Sequence, residues 1–280
     1  MNNFKITDLL IDDFHVNFKH EVVNPSLMVY RFRKCNEYNY LDVVLDRITL
    51  ASPNTFNDPY DSTLLYNNFV SYDENPEAYN EALFGKWNPK LNSVFDKAVS
   101  STFRDTIRIA CFSEVIDEEI MWAHYAASAT GFAIGYKYEN LSDFANTNKD
   151  MYLTPIIYND KKIKKISDDD EQLLEQMYKS VPKLKKEVWS YEKECRLVTK
   201  RKNKGEPEYK TYTNLKADAL YLGEYISDFN KILICSIALK KKIKVYEMET
   251  QFSDTYRKLV VRELTAEEID RYSKHFVIKL

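Results

Sequence analysis

Apolar and polar positions change period along the chain, and the changes mark its elements. Residues 27–33, LMVYRFR, are rich in β-branched and aromatic side chains and predict a first strand. Residues 39–47, NYLDVVLDR, carry helical spacing, and 48–53, ITLASP, return to a strand pattern. The Asn-, Asp- and Pro-rich run NTFNDPYD then predicts a loop of turns. Helical spacing holds from 76 to 103, with Pro89 dividing it, and IRIACFS at 107–113 reads as a buried strand. DEEIMWAHYAAS at 117–128 predicts a helix with acids in its first turn, where the helix dipole favours them. GFAIGYK and YLTPIIY follow as strands, with Pro155 marking an edge or bulge.

Beyond the charged connection NDKKIKKISDDDEQ, a long helix is predicted over 172–186, with a kink at Pro182. ECRLVTK and EYKTYT read as a strand pair across RKNKGEPE, and ALYLG as a short strand. A helix over 225–240, strands at 244–249 and 256–263, and a helix opening at Thr265 with capping-box spacing to Glu268 complete the pattern. The expected architecture is α+β: one domain over 27–280, with a mixed, mostly antiparallel sheet flanked by helices. A polar lead-in covers 1–26, and a helical insertion lies around 70–104. No repeat and no Gly/Ser linker interrupts it.

Composition narrows the chemistry. The 280 residues carry a net charge of −3, so no global field draws the chain to nucleic acid or an anionic membrane. There are only 5 glycines, and neither GxGxxG nor GxxxxGK[ST] occurs, which removes the main support for Rossmann and P-loop folds. The four cysteines form no CxxC, and HExxH is absent, so no metal site is expected. The start MNNFKITDLLIDDF has acids and no long apolar stretch, and no apolar run reaches membrane-spanning length. A cytoplasmic protein with reduced thiols is expected.

Four polar constellations break into apolar runs. Arg31 and Arg33 share one face of the first strand, where two guanidinium forks suit a diphosphate if that face lines a cleft. Asn57, Asp58 and Asp61 suit turn capping or a divalent cation. Ser113 ends a buried strand, and Trp122, His124 and Tyr125 follow on a helix, with His124 expected to be mostly buried and hydrogen-bonded. Glu192, Glu194 and Arg196 alternate beside Trp189 and Tyr191. If extended, they share a face, and the ordinary reading is an ion pair with Arg31, Arg33 or Arg196.

Together these blocks resemble the bacterial family catalogued as domain of unknown function 2971. Its pattern stands here at residues 30–33, 52–61, 111–113, 121–126 and 185–196, with Tyr60 where the family has Phe. The resemblance spans roughly 28–250 and implies a grouping rather than a mechanism. A more distant resemblance is to Arg-Ser-Glu ADP-ribosyltransferases. It rests on the order of Arg31 or Arg33, Ser113, and Glu192-x-Glu194, although Cys111-Phe112-Ser113 replaces the usual Ser-Thr-Ser. That resemblance implies NAD as cofactor. The arginines would grip its diphosphate, with Ser113 supporting the nicotinamide side and Tyr125 or Trp189 stacking the ring. Glu194 would stabilise the ribosyl cation and Glu192 would serve the acceptor, in a phage-defence or toxin setting.

Two rivals stand beside it. One is a hydrolase or nuclease using His124 with Asp58 or Asp61. The other is a non-catalytic nucleotide-binding sensor. No membrane partner is expected, and the acceptor macromolecule is not readable from these residues.

Overall fold

In a computed structural model, the structure describes residues 27–62, 101, 103–158, 178, 181–201 and 207–274. The expectations for the lead-in, for most of the 70–104 insertion and for the helix over 172–177 lie outside these residues. The chain opens with β1 (Met28–Arg33), α1 (Glu37–Val44) and β2 (Arg47–Ala51), the strand–helix–strand order of the sequence pattern. The Asn36 side chain caps α1 by accepting from the Asn39 amide. A 3-10 turn at Pro53–Thr55 starts the next loop.

Then come β3 (Ile107–Ser113), α2 (Glu119–Tyr125), β4 (Phe132–Lys137), α3 (Tyr138–Thr147), β5 (Met151–Pro155) and β6 (Ile157–Tyr158). After 3-10 turns at Val181–Lys183 and Glu187–Glu192, with β7 (Leu184–Lys185) between them, β8 (Glu194–Lys200) and β9 (Tyr209–Thr213) follow. The chain closes with β10 (Ala219–Leu222), α4 (Asp228–Lys241), β11 (Lys244–Phe252), β12 (Arg257–Glu263) and α5 (Ala266–Ser273). The capping box expected at Thr265 is present, with both reciprocal bonds made.

Among the described residues the sheet has ten strands, in the order β12-β11-β10-β4-β1-β3-β2-β9, with β8 joined to β3 and β5 joined to β8. Its pairs are antiparallel except β10 with β11. The fold is therefore α+β, with a mixed, mostly antiparallel sheet. One core packs Phe112, Ile134, Leu197 and Cys235 under α3 and α4. A second packs Phe32, Trp122 and Tyr221 around α2.

Several local expectations are corrected. β8 and β9 do not pair with each other. The two edges of β8 are taken by β3 and β5, so β9 joins β2 instead. The helix expected to reach residue 186 does not. Pro182 sits in a 3-10 turn, and Leu184–Lys185 pair in parallel with Ile157–Tyr158. α3 was not expected. It starts directly from the end of β4 with no side-chain cap, so no N-terminal signal announces it. Among the described residues no helix is long and apolar enough to cross a membrane.

The sheet topology also makes the cleft. β8 pairs with the whole of β3, so β1 and β2 must share the opposite edge of β3. β1 meets it only at Tyr30↔Ser113, and β2 only at Ala51↔Ile109. Between these two anchors, at Cys111, β1 and β2 splay apart. Arg31 spans the gap, its Nη2 donating to the Thr49 carbonyl at 2.5 Å in place of a ladder bond.

Candidate functional site

A cleft of about 910 Å³ opens over that junction. Arg31, Arg33, Ser113, His124, Tyr125, Glu192 and Glu194 all line it, although they come from distant parts of the chain. Trp189 is not among the lining residues. Its ring packs 5.0 Å from Lys185 Nζ.

One end is cationic. Arg31 is 7 % exposed, and its buried Nε has no hydrogen-bond partner among the described residues. The buried Nε of Arg33 is likewise unpartnered. Burial, and then the neighbouring Arg31, lower the Arg33 pKa to about 9, while Asp42 opposes the shift. Arg47 also lines this end, and its Nε donates to Asp42 Oδ1 at 2.8 Å. Two guanidiniums with orphaned donors in a low-dielectric wall form a site poised for an anion with several acceptor oxygens.

The other end holds three carboxylates and two cations. Arg196, fully buried, grips Asp61 through Nη1 at 2.8 Å and Nη2 at 2.5 Å, and Glu194 through Nε at 2.6 Å. Lys185 Nζ donates to Glu192 and, at 2.9 Å, to Glu194. It also stands 3.7 Å from Asp61. Tyr125 donates its hydroxyl to Glu192 Oε1 at 2.7 Å, and Asn57 donates to the Tyr125 oxygen at 3.3 Å.

These neighbours drive the two glutamates apart. Burial alone would raise Glu194, but Arg196 and then Lys185 overcome it and hold the carboxyl at about 2. Glu192 is raised, by burial first and by the Glu194 charge second, against the pull of Lys185.

The local backbone explains the arrangement. Glu194 and Arg196 share one face of β8, as alternation requires, but Glu192 does not continue that strand. It ends a 3-10 turn, and left-handed Lys193, at φ 40°, swings the chain into β8. Ser113 fixes this corner. Its hydroxyl donates to the Glu192 carbonyl at 2.7 Å, and its oxygen accepts from the Val115 amide at 3.1 Å. Of the three ion-pair partners the sequence left open for the glutamates, Arg196 is the one that engages Glu194.

His124 stands in the cleft wall beside Tyr125, its ring edge-on at 6.2 Å, but the expected burial is corrected: it is exposed at the rim. It stands two residues, about 200°, around the helix from buried Trp122, so it cannot share that apolar face. Asp58 closes a turn by accepting from the Tyr60 amide at 2.8 Å. Among the described residues no group of three His, Cys, Asp or Glu side chains is placed to hold a metal ion.

Lys185 opens the 185–196 block but carries no assigned role in the sequence reading, and Asp42 and Arg47 are not singled out there. An acid interrupting the apolar stripe of NYLDVVLDR was the available signal for Asp42.

Comparison with known proteins adds a grouping. No curated protein and no solved structure matches the chain. The model of the family described as "Protein of unknown function (DUF2971)" matches residues 121–197, a segment that holds most of α2, Lys185, both glutamates and Arg196. That match agrees with the resemblance drawn from the motifs over residues 121–197.

Proposed function

We propose that the cleft binds NAD, or a closely similar dinucleotide, and cleaves its nicotinamide–ribose bond, passing ADP-ribose to water or to an acceptor. The observation that carries this reading is the charge division of the cleft. At the arginine end, orphaned guanidinium donors leave an excess of positive charge suited to a diphosphate. At the far end, Asp61, Glu192 and Glu194 face Lys185 and Arg196, leaving one excess negative charge beside Tyr125. NAD carries the complementary pattern, an anionic diphosphate and a cationic pyridinium ring.

In this reading the C1′–N bond breaks and its electron pair returns to the pyridine nitrogen, which leaves as neutral nicotinamide. Positive charge develops on the ribose, and Glu194, held ionised by Arg196 and Lys185, stabilises it. Glu192 takes the proton of the attacking water or hydroxyl, whose oxygen bonds to C1′. Its raised pKa suits it to a proton transfer, whereas that of Glu194 does not. Tyr125 and Lys185 hold one oxygen each and orient the carboxylate.

Nicotinamide release from NAD tests the reading. Wild type should release it, and Glu194→Gln should lose on the order of 100- to 1,000-fold in rate. A wild type that neither binds NAD nor releases nicotinamide would remove the reading.

A further inference from the structure

Asp42 is a carboxylate where an anion-binding wall would be expected to have none. It is 6 % exposed, lines the cationic end of the cleft, and acts electrostatically on both Arg31 and Arg33. Its Oδ1 accepts from Arg47 Nε at 2.8 Å and from Thr49 Oγ1 at 3.4 Å. Its Oδ2 makes no hydrogen bond among the described residues, yet it is not a sealed, orphaned atom. Helix packing does not account for an acid here, since the neighbouring Val43 fills the core.

The charges can be counted. Arg31, Arg33 and Arg47 line this end, and Asp42 opposes them, so the wall carries two net positive charges. Lys34 lies at the exposed rim, where solvent screens it. A diphosphate diester carries one negative charge on each phosphate and matches this wall. A triphosphate brings about four charges and would place its surplus against the Asp42 carboxylate.

Resting on the nucleotide reading above, we infer that Asp42 is a specificity residue: it sets the cleft to accept a diphosphate diester and to refuse a triphosphate. The refusal is a repulsive element, which discriminates more sharply than attraction alone.

The test compares the binding of ADP-ribose and ATP by titration calorimetry at one low salt concentration. Wild type should bind ADP-ribose at least about tenfold more tightly than ATP. Asp42→Asn keeps the Oδ1 acceptor for Arg47 and Thr49 and removes only the charge. It should narrow the ADP-ribose to ATP ratio by about tenfold, the effect of one like charge a few ångströms away in a partly buried site. Arg47→Gln removes a cation and should widen the ratio, which guards against Asp42→Asn failing to fold. If folded variants leave the ratio at its wild-type value, the inference is overturned while the nucleotide reading stands. If wild type binds neither probe, the nucleotide reading falls and this inference falls with it.

Discussion

At the scale of the residue, one cluster pushes two glutamates in opposite directions, Glu192 up and Glu194 down. Glu192 must be ionised to take a proton, and its pKa is raised, so kcat/KM should climb with pH through a value above the ordinary 4.5. Arg33 is lowered by burial but stays charged at neutral pH, so its part is read in affinity. Arg33→Gln should lose most of the affinity for NAD while the acid limb of the profile stays in place. Unchanged affinity would separate Arg33 from the diphosphate.

Arg196 belongs to the same cluster but has a structural task. Replacing it with Met leaves Asp61 and Glu194 buried with a single cation, Lys185, between them. Breaking such a pair costs about 3–5 kcal/mol, so chemical denaturation should show a large loss of stability. The sequence revealed these residues as a set but not their pairing. Alternation along β8 puts Glu194 beside Arg196, but that Asp61 joins them depends on where the 52–61 loop folds back, which the strand pattern does not carry. The exposure of His124 follows from helix angle alone, two residues on from buried Trp122, and so is legible in the sequence.

At the scale of the element, the site exists because β1 and β2 share one edge of β3 and separate above Cys111. The strands forming that junction stood out in the sequence through their β-branched and aromatic runs. Their order in the sheet did not, because β8 and β9 both carry strand patterns and only competition for edges decides their partners. One backbone approach holds the arginine end. A Cβ on Gly131 would lie 2.2 Å from the Arg33 carbonyl oxygen and 2.8 Å from that of Ala126. Both are main-chain atoms and cannot swing aside. Gly131→Ala should cost about 1–3 kcal/mol and displace the end of β1. Melting curves should fall by several degrees, and ADP-ribose affinity should fall with them. Unchanged affinity would mean that the position of Arg33 does not depend on this contact.

Just before Gly131, the chain turns through three consecutive residues of left-handed backbone, Ala127, Ser128 and Ala129. Left-handed geometry costs a non-glycine residue roughly 1–2 kcal/mol. No composition signal marked this turn, since alanine and serine rarely adopt it. Bonds from the Ser128 and Ala129 amides back to the Ala123 and Trp122 carbonyls hold it.

At the scale of the molecule, the cleft charges couple to stability. Glu194 titrates at about 2 in the folded chain, against 4.5 ordinarily. A depressed carboxyl contributes stability that is present above the unfolded value and lost as pH falls through the folded one. The raised Glu192 works in the opposite direction, so part of the effect is offset. Melting temperature should hold above pH 5 and fall between about pH 4.5 and 2. The fall attributable to this group should be absent in Glu194→Gln, which starts lower. An identical acid slope in both proteins would place the titrating group elsewhere.

In the proposed reading, the carboxylate end of the cleft breaks a nicotinamide–ribose bond. Nicotinamide release, followed by chromatography with NAD as the sole substrate, addresses it most directly. Wild type should release nicotinamide. Glu192→Gln, with its melting temperature measured alongside, should bind NAD but release nicotinamide more slowly. Binding of NAD without any release by wild type, with water and candidate acceptors present, would contradict the claim and leave a cleft that senses the nucleotide without cleaving it.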